Sequence, residues 1–196
     1  MKREQIESLS GQNNGILRIS DAVKLGISKQ YVYEYIAKRG YIMLSRGVYL
    51  APDSWEDSMY ALQQRFHKAV FSHETALYLL GLSEREPFRY EITVPHGYNA
   101  TNLKQQKAAV YSVKPEWYHI GIVDGTTPMG NPVKVYNAER TLCDIFKPNC
   151  HIEIQDKQFA VKEYVRQKEK NIPLLMEYAK TLKVEKAVKQ YLEVLL

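Results

Sequence analysis

Residues 20–50 read SDAVKLGISKQYVYEYIAKRGYIMLSRGVYL, and the reading of this stretch decides the fold. Two short helical patterns meet at Gly26. They lead through Arg39-Gly40 into a tight apolar hairpin, Tyr41 to Leu50, with Ser45-Arg46-Gly47 at its tip. Ser20 is expected to cap the first helix, which turns Ala22, Val23 and Leu25 inward. Gly26 gives the turn its permissive backbone, and Ser28 caps the second helix. Ile27 plugs the corner between them. The layout predicts a winged helix-turn-helix.

At about 100° per residue the second helix gathers Val32, Tyr35 and Ile36 on one face. Gln30, Glu34, Ala37 and Lys38 fall opposite, with Tyr31 and Tyr33 at the margins. A polar helix face of this kind fits the major groove of duplex DNA. There Gln can bond an adenine edge twice, and Lys or Arg can reach guanine or phosphate. Gln30 and Tyr33 are the expected base contacts, and Tyr35 is the expected core tyrosine. Arg46 would enter a minor groove or hold a phosphate. An arginine in a glycine turn is by itself more often a solvated residue; its position directly behind the helix pair gives it the functional reading.

Composition sets the frame. The chain has 196 residues, 45% hydrophobic and 25% charged, enough for one good core and a second small domain. No apolar run approaches the roughly 20 residues that span a bilayer, and Met1-Lys2-Arg3 is followed by polar residues rather than a signal-peptide core. A soluble cytoplasmic protein without membrane contact is expected. The net charge is +5 and uneven: residues 1–53 hold eight Lys/Arg against five Asp/Glu, residues 54–150 ten of each, and residues 151–196 nine against seven. The basic surplus falls where DNA contact is expected, and a pI near 9.0 is compatible with it.

Residues 2–9 read as a first helix with Ile6 and Leu9 inward, and Ile16 to Ile19 as a short strand beside the hairpin. Ala51-Pro52-Asp53-Ser54 marks a boundary near residue 53. A helix over 55–70 follows, carrying Met59, Leu62, Phe66, Ala69 and Val70, then one capped by Ser72 and stopped at Gly81. The period then shortens. Tyr90 to Val94, Ala109 to Val113, Trp117 to Val123 and Val133 to Tyr136 read as strands of a small, mostly antiparallel sheet. The loop Pro95 to Thr101 is polar and turn-forming. Asn137 caps a helix over Ala138 to Phe146, and three more helical patterns, 156–168, 173–182 and 184–195, close the chain. Their apolar faces are Phe159, Val161 and Val165, then Leu174, Leu175, Tyr178 and Leu182, then Val188, Leu192 and Leu195. These faces are expected to cover the sheet. The fold class is therefore α/β in the α+β sense: residues 1–53 a winged helix-turn-helix, residues 54–196 a larger mixed domain.

The middle of the chain offers acid-base candidates in His73, Glu74, Glu91, His96, His119, Asp124, Glu139 and Asp144. A nuclease carboxylate needs a nearby Lys, and Glu91-Ile92-Thr93 lacks one two residues on. Arg140 and Asp144 stand at the i, i+4 spacing of a helical ion pair. Ser72 is better read as a cap than as a nucleophile. Cys143, Cys150 and His151 lack zinc-type spacing and a fourth ligand, and no Walker-type loop occurs. No catalytic residue, cofactor or metal is assigned.

The chain resembles the AbiEi-type antitoxins of bacterial type IV toxin–antitoxin, or abortive infection, systems. The resemblance rests on the order of the helix pair, the hairpin Leu44-Ser45-Arg46-Gly47-Val48-Tyr49, the run Phe71-Ser72-His73-Glu74-Thr75-Ala76-Leu77-Tyr78-Leu79-Leu80-Gly81-Leu82, the strand Ile92-Thr93-Val94-Pro95 and the segment Ala138-Glu139-Arg140-Thr141-Leu142-Cys143-Asp144. It implies an autorepressor that binds inverted repeats in the promoter of its own operon. The larger domain would oppose a co-encoded nucleotidyltransferase-like toxin, without a stable complex being required. It implies DNA contact by Ser28, Lys29, Gln30, Tyr31, Tyr33 and Lys38 on the second helix and by Arg46 on the wing. The sequence shows no heptad seam, so a monomer in solution with two copies on DNA is expected. The alternatives are a protein-interaction module whose helix-turn-helix is only a scaffold, and a metal-dependent nuclease.

Overall fold

The structure is a computed structural model that describes residues 2–106 and 108–195, with side chains up to Glu193. The chain divides into two compact units, Met1–His67 with Thr126–Val133, and Lys68–Gly125 with Lys134–Leu196.

The first unit opens with α1 (Lys2–Gln12), β1 (Ile16–Arg18), α2 (Ile19–Lys24) and α3 (Lys29–Arg39). The hairpin strands β2 (Ile42–Ser45) and β3 (Val48–Leu50) follow, then α4 (Ser58–Arg65). Gly26 takes a φ of +79° between α2 and α3, which a residue with a side chain rarely adopts. The Ser28 hydroxyl accepts the Tyr31 amide and so caps α3, and Gly40 ends that helix in the left-handed region. Ile6, Leu17, Ile19, Ala22, Ile27, Val32 and Ile36 form one apolar cluster beneath the helix pair. The strand expected at Ile16 exists. β1 pairs antiparallel with β3, Ile16 opposite Leu50, and β3 pairs antiparallel with β2 in the order β1-β3-β2.

The structure departs from three local expectations. The first helix of the pair begins at Ile19 behind Arg18, so Ser20 lies inside it and its hydroxyl turns to Asp21 instead of capping. Val23 and Leu25 are exposed, because a helix of six residues buries only one short stripe, Ile19 and Ala22. The helix expected over 55–70 stops at Arg65, and Val70 belongs to a strand.

The first unit continues past the Pro52 turn, since α4 packs on β2. Asp57 caps α4 through the Tyr60 amide, and its second carboxylate oxygen accepts from Thr127 Oγ1 and Asn131 Nδ2. Asn14 Nδ2 donates to the Met129 carbonyl at 2.7 Å. Residues 126–133 are thereby built into this unit.

The second unit contains β4 (Val70–Phe71), α5 (His73–Leu79), β5 (Glu91–Pro95), α6 (Thr101–Gln105), β6 (Ala109–Val113), α7 (Pro115–Tyr118) and the greater part of β7 (Ile122–Thr126) and β8 (Pro132–Tyr136), whose residues 126 and 132–133 belong to the first unit. It is completed by α8 (Ala138–Ile145), α9 (Ile154–Arg166), α10 (Ile172–Thr181) and α11 (Glu185–Leu195). The five strands lie in the order β6-β5-β4-β8-β7. The sheet is mixed rather than mostly antiparallel: β4 runs antiparallel to β5, while β5–β6 and β4–β8 are parallel. Parallel neighbours need long crossovers, and α5, α6 and α7 lie in those connections. The strand expected over Trp117 to Val123 begins instead as the helical turn α7, with Pro115 at its first position.

The closing helices α9, α10 and α11 match the three predicted patterns, but their partner differs. They cluster with α5 and α8 through Leu77, Leu142, Cys143, Ile145, Val161, Tyr164, Leu175, Ala179, Leu182, Val188 and Leu192, so they cover helices rather than the sheet. Amphipathic faces declare that they need a partner, not which one. Leu195, assigned to the same face from sequence, lies outside the described side chains.

Candidate nucleic-acid interface

The turn at Gly26 and the caps at Ser28 and Gly40 hold α3 with one side sealed and the other open. Val32 and Ile36 are buried, while Ser28, Lys29, Gln30, Tyr33, Glu34, Ala37 and Lys38 are exposed. Tyr33 is half exposed and meets Tyr49 of β3 edge-on, ring centroids 6.4 Å apart, which ties the helix to the hairpin. Tyr31 is half-buried against the core, with the Lys2 ammonium 5.9 Å from its ring. Its side chain therefore contributes more to packing than to the open face. Arg46 stands exposed at the hairpin tip, beside Gly47 at a φ of +80°.

Glu7 of α1 fixes the far end of α3. Its carboxylate accepts from Arg3 Nε at 2.9 Å, from Arg39 at 2.8 Å and from the Tyr35 hydroxyl at 3.3 Å. The hydrogen bond from Arg3 holds the Glu7 carboxyl below the usual carboxylate range. Tyr35 is half-buried, packed on the core and against Tyr41, as expected for the core tyrosine. Arg3, Tyr31, Glu34, Tyr35, Lys38 and Arg39 line an open groove of about 440 Å³ between the two helices. Lys38 reaches into this groove, whereas Arg39 is committed to Glu7.

Two features carried no expected role: Glu34, placed on the polar face of the second helix, and the apolar pair Ile42 and Met43. Glu34 accepts a 3.1 Å hydrogen bond from Gln30 Nε2, one turn away. Ile42 and Met43 are 58% and 63% exposed on β2, an edge strand. The apolar character of the hairpin was legible, but not the fact that on β2 the core stops at Leu44.

The acid-base candidates of the second unit fall into two groups. His96 and His119 are exposed, and Asp124 pairs with Lys134. The others are buried, except Glu74, which is half-buried. Ser72 is the residue before α5, yet its hydroxyl contacts His73 Nδ1 and accepts from Thr93 Oγ1, each at 2.9 Å, and does not cap. Glu91 replaces it: one carboxylate oxygen accepts the Glu74 amide at 2.7 Å, the other the Tyr111 hydroxyl at 2.8 Å. Glu91 and Thr93 are buried, because β5 is covered on both faces. Glu139 accepts from the Tyr164 hydroxyl. Arg140 and Asp144 form the expected i, i+4 pair at 3.0 Å with almost no exposure, and Lys147 adds a second bond to Asp144. Burial alone would push the Asp144 carboxyl up; Arg140 and Lys147 outweigh it and hold it below its ordinary value. Burial pushes the Cys143 thiol up to about 12 and the Cys150 thiol to about 11, so neither supplies a thiolate near neutrality. Among the described residues no group of three His, Cys, Asp or Glu could hold a metal ion.

His73 carries a consequence for pH. It is buried, stacked 3.7 Å from the Tyr111 ring, and its backbone has a φ of +49°, which is costly for a residue other than glycine. Burial lowers its pKa; Asp144 and Glu91 act against that shift, and Lys147 and Arg140 with it. Below the ordinary value of 6.5 the unfolded chain takes up a proton that the folded one refuses. Stability is therefore lost as pH falls from 6.5 towards the lower folded value. Asn tolerates a positive φ, so in His73→Asn the fall of the urea midpoint between about pH 7 and pH 5 becomes shallower. The slope removed is at most about 1.4 kcal/mol per pH unit.

Among the described residues no helix is long and apolar enough to cross a membrane. No protein-family model matches the chain, and no curated protein matches it. Among solved structures it is similar to the crystal structure of the RV2827C protein from Mycobacterium tuberculosis, with a TM-score of 0.56 and 11% sequence identity over 89% of this chain and 69% of that one. At that identity the likeness is one of fold, and it agrees with the α+β class.

Proposed function

We propose that α2, α3 and the β2–β3 hairpin act as a winged helix-turn-helix, and that the protein is a DNA-binding antitoxin and transcriptional autorepressor of the AbiEi type, acting in the cytoplasm without catalysis. The observation that carries the DNA-binding reading is the open face of α3. Lys29, Gln30, Tyr33 and Lys38 lie exposed on a capped helix of 11 residues, with Arg46 exposed on the hairpin that follows. α3 enters the major groove, where Gln30 and Tyr33 meet base edges and Lys29 and Lys38 hold phosphates. Arg46 supplies the wing contact, and the Ser28 cap keeps the helix start rigid. Two copies occupy the two halves of an inverted repeat and occlude the promoter. The second unit opposes a co-encoded nucleotidyltransferase-like toxin. This last part rests on the sequence resemblance.

The test is a footprint of the purified protein on its own upstream DNA at two salt concentrations. Protection of an inverted repeat that weakens as salt rises supports the reading. Equal binding to unrelated duplex, or none, moves the weight to an interaction module, which the exposed pair Ile42 and Met43 favours.

A further inference from the structure

Glu34 is exposed on α3, one turn from Gln30 and one turn from Lys38, at the edge of the groove it lines with Arg3 and Arg39, and an approaching phosphate backbone would repel it. Among the described residues it has no ion-pair partner: Lys38, one turn on, does not bridge to it, and Arg3 and Arg39 are held by Glu7. Its hydrogen bond comes from the Gln30 amide, at 3.1 Å. A carboxylate that forms no ion pair on a DNA-facing surface weakens all duplexes alike unless it gains a bond from a base. The base edge that offers a donor and no competing acceptor in the major groove is cytosine N4–H2.

We infer that Glu34 is a specificity-determining residue, accepting a hydrogen bond from a cytosine beside the base read by Gln30. The inference rests on the DNA-binding reading above and deepens it. The Gln30 amide keeps one N–H and its oxygen after donating to Glu34, and those are the two groups that bond an adenine edge. The pair therefore reads two bases as one unit, with Glu34 setting the plane of the Gln30 amide. A duplex that lacks the cytosine meets a bare carboxylate, so Glu34 also penalises wrong sites.

The experiment is selection from a randomised duplex library with the full-length protein and with Glu34→Gln, each checked for an unchanged melting temperature. The wild-type protein enriches a motif with one cytosine preferred about tenfold beside an adenine. In Glu34→Gln that cytosine preference is lost or becomes adenine, while binding to unselected duplex tightens about threefold because a repelling charge is gone. If the wild-type protein enriches a motif and Glu34→Gln enriches the same one, the role of Glu34 is overturned and the DNA-binding reading stands. If the wild-type protein enriches nothing, the DNA-binding reading itself falls, and the inference with it.

Discussion

Reversing both lysines of the open helix face, Lys29→Glu together with Lys38→Glu, lowers affinity for the promoter duplex by about a hundredfold or more. It also reduces the slope of log affinity against log salt by about two. Both residues are exposed, and among the described residues neither has an ion-pair partner, so each is available to neutralise a phosphate. The fold is expected to survive. A glutamate in the first turn of α3 complements the helix dipole and one in the last turn opposes it, so the two stability effects largely cancel. Titration of labelled duplex at several salt concentrations, beside a thermal melt, checks the result. Unchanged affinity in a folded variant sinks the assignment to DNA and leaves the interaction module as the better reading.

Arg140→Ala destabilises the second unit by about 3–5 kcal/mol, read as a drop in its urea midpoint. The guanidinium is fully buried. It donates to Asp144 and to the carbonyls of Trp117 and Ile120, and it stacks 4.2 Å over the Tyr136 ring. Its NH2 nitrogen already lacks a partner among the described residues. Removing the side chain leaves a cavity, two freed carbonyls and an Asp144 carboxylate with Lys147 as its main cation. The double change Arg140→Met with Asp144→Leu recovers much of the loss, because a buried pair contributes less than either partner costs when stranded. Lys147, part-exposed, can swing to water. A double variant as unstable as Arg140→Ala would mean that the carbonyl contacts, not the charge pair, carry the effect.

The helix pair and hairpin were legible because their determinants are local. Ser28, Gly26 and Gly40 act on residues within four positions, and the β1–β3 pairing follows from two short apolar runs. Ser20 misled because a helix can start two residues earlier on an extended Arg18, and Ser72 because its hydroxyl had a better use in the interior. The sheet was read as strands but not as an order. Glu91 and Thr93 look like solvent-side positions until both faces of β5 are covered, and nothing in the sequence says that Glu91 caps a helix that begins eighteen residues before it. The open face of α3 was readable from its angles, but the Gln30–Glu34 bond was not, because i, i+4 spacing permits a contact without requiring it.

The Asp57 anchor bears on how this chain can be cut. Thr127 and Asn131, which satisfy that carboxylate, are encoded about seventy residues downstream, on a hairpin tip whose strands run back into the other unit. A gene fragment that stops at His67 omits them, uncovers Asp57 and takes from Asn14 its bond to the Met129 carbonyl. The amino-terminal third is thus not an interchangeable cassette: truncation, domain swapping and recombination at residue 53 or 67 each sever a piece of it. Clean dissection needs an insert that restores residues 126–133, fused through a linker or supplied as a peptide.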